Sequence, residues 1–164
     1  MSFDIVTKGQ ETDTETTGGL EQAATGGTVI TPTLLLQRPL SAVILGPSCQ
    51  QIFAPFPMAT DEAGITLGMQ LLNMPIMGNP APAPIAGATL AMHLKPVGGT
   101  DIVMASTPTI IYANYAIVQM VFQATDMALL TTTGLYRGMV HATLTDGQVA
   151  DFGGLSLYIT SPNP

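Results

Sequence analysis

The chain reads as an all-β protein: an antiparallel β-sandwich of jelly-roll or Greek-key type, with an extended N-terminal arm. Three observations predict this. Apolar and polar residues alternate at period two in several segments, the pattern of strands with one face on a core. Pro and Gly clusters interrupt the chain at intervals of roughly 8 to 20 residues, as turns and long connections between strands do. Helix signals are thin. Ala59 to Met69 opens with a cap-like Thr60-Asp61-Glu62, but Gly64 and Gly68 weaken it.

The sequence divides at about residue 27. Residues 1–27 are rich in Thr, Glu and Gly and poor in large apolar side chains. Such a segment cannot bury enough surface to offset its ordering entropy, so it is expected to be an acidic, flexible arm. Phe3, Ile5 and Val6 form its apolar tip and are the expected partner-binding residues.

Residues 28–164 form the expected β-sandwich domain. Ile65, Leu67, Met69 and Leu71 share one face, as do Leu90, Met92 and Leu94. Tyr136, Val140, Ala142 and Leu144 oppose Arg137, His141 and Thr143, and Leu155, Leu157 and Ile159 oppose Ser156, Tyr158 and Thr160. Tyr115 to Gln123 is apolar on both faces except at Gln119 and Gln123, which predicts a central or interface-facing strand. Turns are expected at Gly46-Pro47-Ser48, Gly78-Asn79-Pro80, Pro96-Val97-Gly98-Gly99, Thr131 to Gly134, Asp146-Gly147 and Gly153-Gly154. Asn73 to Pro84 holds four prolines and is expected to be an extended surface loop without ladder hydrogen bonds.

Charge is the strongest compositional signal. The chain of 164 residues has 4 Lys+Arg and 11 Asp+Glu, a charged fraction of 9%, against about 25% in ordinary domains. Six of these charges fall within the first 22 residues, leaving nine for the rest. So bare a surface calls for a membrane or for protein neighbours. The apolar runs are too short for a spanning helix, and the acidic N-terminus lacks the features of an export signal. Absent Trp and 13 prolines argue against a transmembrane barrel. Four basic residues cannot form a cationic patch for nucleic acid. Covering by other protein is the remaining reading.

Catalytic and cofactor motifs are missing. There is no phosphate-binding Gly-rich loop with its Lys, and no Gly-x-Ser-x-Gly elbow. Gly46-Pro47-Ser48-Cys49 reads as a turn leading into a strand, and Cys49 as a small buried residue. Asp61 and Glu62 would point to opposite faces of a strand. His93 and His141 fall on different strands, opposite the apolar set, and read as ordinary face histidines, with a pair across two strands left open. Of the ten methionines only Met92-His93 and Met139-x-His141 approach a metal pattern, and Met92 faces away from His93. The expectation is no enzyme activity, no cofactor and no metal.

The Thr/Gly-rich acidic arm, the Pro/Gly-punctuated β body and the scarce charge resemble, in texture along the whole chain, the small decoration or cement proteins of tailed-phage heads. That resemblance implies a β-rich homo-oligomer, most often a trimer, on the outside of a capsid. It would bind the major capsid protein and stabilise the shell, its arm touching that shell. The mean hydropathy of +0.39 exceeds what an external knob needs and fits other assembly roles too: major capsid, tail or fibre, or a non-viral appendage subunit. The expected location is the virion, after synthesis in a host cytoplasm.

Overall fold

The structure is a computed structural model that describes residues 39–74 and 78–162. The arm of residues 1–27, with Phe3, Ile5 and Val6, lies outside the described residues. The body is all-β, in eleven strands. In chain order they are β1 (Leu40–Leu45), β2 (Gln51–Ile52), β3 (Phe56–Ala59), β4 (Ile65–Asn73), β5 (Ala81–Pro82), β6 (Thr89–Pro96), β7 (Ile102–Val103), β8 (Thr109–Tyr112), β9 (Ile117–Phe122), β10 (Gly134–Thr143) and β11 (Val149–Thr160). A single 3-10 turn, Ala113–Tyr115, and one short helix, α1 (Ala124–Met127), complete the described elements.

The strands form one mixed sheet in the order β7-β6-β10-β11-β1-β4-β9-β8. It consists of two antiparallel halves joined at a narrow seam, the parallel pairing of Ser41 with Gly153. One half holds β1, β4, β9 and β8, with β2 on β1 and β5 on β4; the other holds β7, β6, β10 and β11. The chain crosses between them early, since β3 runs parallel to the end of β11, from Leu157↔Phe56 to Thr160↔Ala59.

Period-two alternation sets the core. Leu67, Met69 and Leu71 of β4, Leu90, Met92 and Leu94 of β6, and Val118, Met120 and Phe122 of β9 are all buried. Tyr136, Val140 and Ala142 of β10 and Leu155, Leu157 and Ile159 of β11 join them in one cluster fed by both halves. On β11 the buried parity changes, from Ala150 and Phe152 to Leu155, Leu157 and Ile159. The register slips between Gly138 and Val140 of β10, opposite Leu155 and Phe152. The extra residue falls at Gly153-Gly154, which is not the expected turn between strands but lies within β11, where Gly154 has φ +104. A bulge of this kind returns the following residues to the core face despite the odd step.

Several sequence expectations change here. Residues 117–122 form a strand beside the edge strand β8, while Ala113–Tyr115 is a 3-10 turn. Ala59 to Met69 is the end of β3, a turn and β4, with the Glu62 carboxylate accepting from the Ala59 N–H. The proline-rich stretch is not free of ladder bonds, because β5 pairs Leu72 with Pro82 and Asn73 with Ala81. The Ala83 N–H also bonds the Leu71 carbonyl, and Ala83 and Ile85 are buried. Proline lacks a donor only at its own position, so the alanines beside Pro82 still supply theirs. Cys49 is exposed rather than buried. It occupies a left-handed position (φ 58) in the β1–β2 turn, closed by Gly46 and Gln50, so its side chain points away from the core.

Candidate functional site

The two outer sheet faces differ in chemistry. The strands of the β1 half (β1, β2, β4, β5, β8 and β9) contain no Asp, Glu, Lys, Arg or His. The outward positions of this half, among them Val43, Leu45, Thr66, Gly68, Ile117, Gln119 and Val121, are therefore uncharged. Beside them lies a groove of about 390 Å³ lined in part by Leu45, Ile52, Phe56, Ile111, Tyr112 and Ile117. Exposed aromatic groups surround this half: Phe53 is 82% exposed, Tyr115 63% and Tyr112 61%. Strand β8 is also one end of the sheet, β7 being the other, and β8 itself carries no charge. An uncharged apolar edge is a template for pairing with another chain.

The other half carries all the charged strand residues, together with exposed Val103, Leu135, Val149 and Tyr158. Strands β6 and β10 pair so that Met139 lies opposite His93 and Ala91 opposite His141. This makes the two histidines diagonal neighbours on one face, with ring centroids 5.7 Å apart. His141 is also paired across to Asp151 on β11. Its Nδ1 lies 2.7 Å from Asp151 Oδ1, and His93 Nδ1 lies 2.7 Å from Asp101 Oδ2, in the turn before β7. The result is a row, Asp101–His93–His141–Asp151, running across neighbouring strands. An ionised carboxylate only accepts, so each Nδ1 carries the proton and donates it. Lys95 and Arg137, themselves a cross-strand pair, lie one step along the same face.

Asp126 is the buried acid of the described residues, and it is structural. Its carboxylate accepts from the Ser106 N–H at 2.8 Å and the Gln123 N–H at 2.8 Å, forming a capping box at the start of α1. Burial pushes its pKa up, but hydrogen bonds from the Ser106 side chain and backbone and from the Gln123 and Ala105 backbone outweigh this and hold it below the ordinary aspartate value.

Sequence reasoning placed both histidines on the correct outward faces but did not bring in Asp101 or Asp151. A signal for Asp151 was present: the Asp146-Gly147 hairpin fixes the β10–β11 register, and that register puts Asp151 opposite His141. Among the described residues there is no group of three or more His, Cys, Asp or Glu side chains arranged to hold a metal. No helix there is long and apolar enough to cross a membrane.

No protein-family model and no curated protein matches the chain. Among solved structures it is similar to CopC from Methylosinus trichosporium OB3b, with 8% sequence identity and a TM-score of 0.37. The match covers 75% of this chain and 97% of that one. At that score the likeness carries no argument about ligand or activity.

Proposed function

We propose that this protein is a structural assembly subunit, a homo-oligomer that acts as a decoration or cement protein on a phage capsid. The observation that carries the assembly reading is the β1 half of the sheet, six strands without an Asp, Glu, Lys, Arg or His side chain. A face of this kind, beside an apolar groove and an uncharged edge, loses little on desolvation and gains from burial against a neighbour. Its first occupant is a second copy of the chain, most simply in a trimer, and the assembled unit then sits on the major capsid protein. The texture resemblance to head-decoration proteins supports the virion part of the reading.

We read the fold as a two-layer Greek-key sandwich in preference to a jelly roll. What supports it is the strand order. With β1, β4, β9 and β8 as strands A, B, E and D, and β7, β6, β10 and β11 as C′, C, F and G, the order follows immunoglobulin-like sandwiches. A buried Tyr136 at the start of β10, bonded back to Thr132, is the corner such sandwiches place before strand F. Sandwiches of this order serve many functions, so the order adds nothing to the functional reading.

Light scattering at micromolar concentration tests assembly. The wild type is expected as a trimer or larger oligomer, and the double variant Thr66→Lys/Ile111→Lys as a monomer with an unchanged β spectrum. A monomeric wild type would reject the assembly reading. Mass spectrometry of purified particles from the organism carrying the gene tests the virion part. Absence from them would leave a non-viral assembly subunit.

A further inference from the structure

We infer that the paired histidines of β6 and β10 form a binding site for one late first-row transition-metal ion, with Cu(II) the tightest-bound of the divalent ions. The inference does not depend on the assembly reading, because it uses the opposite outer face.

Three features of the site converge. The first is distance. With metal–nitrogen bonds of about 2.0–2.1 Å, each imidazole centroid lies about 3.2 Å from the ion, so two rings sharing one ion have centroids from about 4.5 Å apart at a right angle to about 6.4 Å apart when opposed. The His93 and His141 rings are 5.7 Å apart. The second is the tautomer. Each Nδ1–H donates to a carboxylate, Asp101 for His93 and Asp151 for His141, at 2.7 Å. In the neutral ring the lone pair then belongs to Nε2, and neither Nε2 has a hydrogen-bond partner among the described residues. A carboxylate behind a ligating imidazole fixes its orientation and raises its basicity, the usual support for a metal-binding histidine. Here both rings have one.

The third feature is the neighbouring donor. Met139 lies directly opposite His93 and two residues before His141, on the same outward face and half-buried. A thioether beside two imidazoles is a soft, mixed set that suits copper better than Mg or Ca, and the general order of affinities puts Cu(II) above the other divalent ions. The site is open to solvent, His93 at 20% and His141 at 37% side-chain exposure, so an ion can enter without the fold opening.

The chain contains only these two histidines, which makes the test clean. The full-length protein, freed of metal with chelator, is titrated calorimetrically with Cu(II), Zn(II) and Mg(II) in separate runs. One Cu(II) per chain is expected, bound more tightly than Zn(II), with no Mg(II) uptake. The electron paramagnetic resonance spectrum of the Cu(II) form should carry hyperfine structure from two imidazole nitrogens. His93→Gln and His141→Gln should each weaken Cu(II) binding at least about tenfold, and Asp151→Asn about 10- to 100-fold. Asp146→Asn, in the hairpin turn, should leave it unchanged. Met139→Leu should weaken Cu(I) in competition with a chromophoric chelator; an unchanged value would reduce the site to the two imidazoles. Two Cu(II) per chain, a one-imidazole spectrum, or undiminished binding in the double His93→Gln/His141→Gln variant would overturn the shared site. A β spectrum recorded for each variant separates loss of the site from loss of fold.

Discussion

The Tyr136 hydroxyl donates a hydrogen bond to the Thr132 carbonyl at 2.8 Å and accepts one from the Thr132 N–H at 3.3 Å. The ring is fully buried, so this pair ties the loop after α1 to the start of β10 from inside the core. Tyr136→Phe keeps the ring and removes the hydroxyl, leaving the Thr132 groups without that partner. The expected cost is about 1–2 kcal/mol, read as a lower midpoint in urea with an unchanged m-value.

Asp126 should make stability depend on pH. Its folded pKa is lowered, so the stabilisation is present above the ordinary aspartate value of 3.8 and is lost as pH falls through the lower folded value. Asp126→Asn replaces an acceptor oxygen with a donor beside the Ser106 or Gln123 N–H. It should cost about 2–3 kcal/mol near neutral pH and flatten the acid limb of a plot of melting temperature against pH. An equally steep acid limb in the variant would assign that dependence to other carboxylates.

Gly154 should tolerate substitution worse than Gly64. Both have positive φ, +104 and +87, so alanine is strained at either. A Cβ at Gly154 would also meet the Ala42 carbonyl and the Ser41 hydroxyl, each at 3.2 Å, at the seam between the sheet halves; at Gly64 it meets open space. Gly64→Ala is expected to cost about 1 kcal/mol or slightly more, and Gly154→Ala clearly more. Paired thermal melts of the two variants measure the difference.

Removing residues 1–22 should leave the thermal transition of the body in place, since every residue of the described core lies at Leu40 or beyond. The same deletion should weaken attachment to the particle, because Phe3, Ile5 and Val6 are the expected contacts. Burying one such side chain is worth roughly 1.5–3 kcal/mol. Equal attachment of full-length and truncated protein, measured by co-sedimentation, would make the arm a passive tail.

Chelator should not unfold the protein. The core is apolar and built without the histidine row, which lies on an outer face. Metal-free protein is expected to give a cooperative thermal transition, and Cu(II) to raise its melting temperature, because an ion bound only by the folded state stabilises it. Loss of the β spectrum in EDTA would make the histidine row part of the scaffold.

The sequence determined the element type and the core face of most long strands. Alternation along Ile65 to Leu71, Leu90 to Leu94 and Leu155 to Ile159 is a local property, because successive side chains of an extended chain must point to opposite sides. Hairpin turns were legible for the same reason: Asp146-Gly147 needs no distant residue to form, and Gly147 has the expected positive φ of 86. Charge scarcity was legible as a total, but not that the β1 half would receive none of it. That depended on which strands became neighbours. Tertiary structure alone decided that β1 and β11 meet at Ser41 and Gly153, that Ala83 and Ile85 go inside, and that Cys49 stays out. It also brought His93 and His141, 48 positions apart in the numbering, to 5.7 Å. Pairing of distant strands is set by the shared core and by the bulge at Gly153-Gly154, and neither leaves a periodic trace in the residues it brings together.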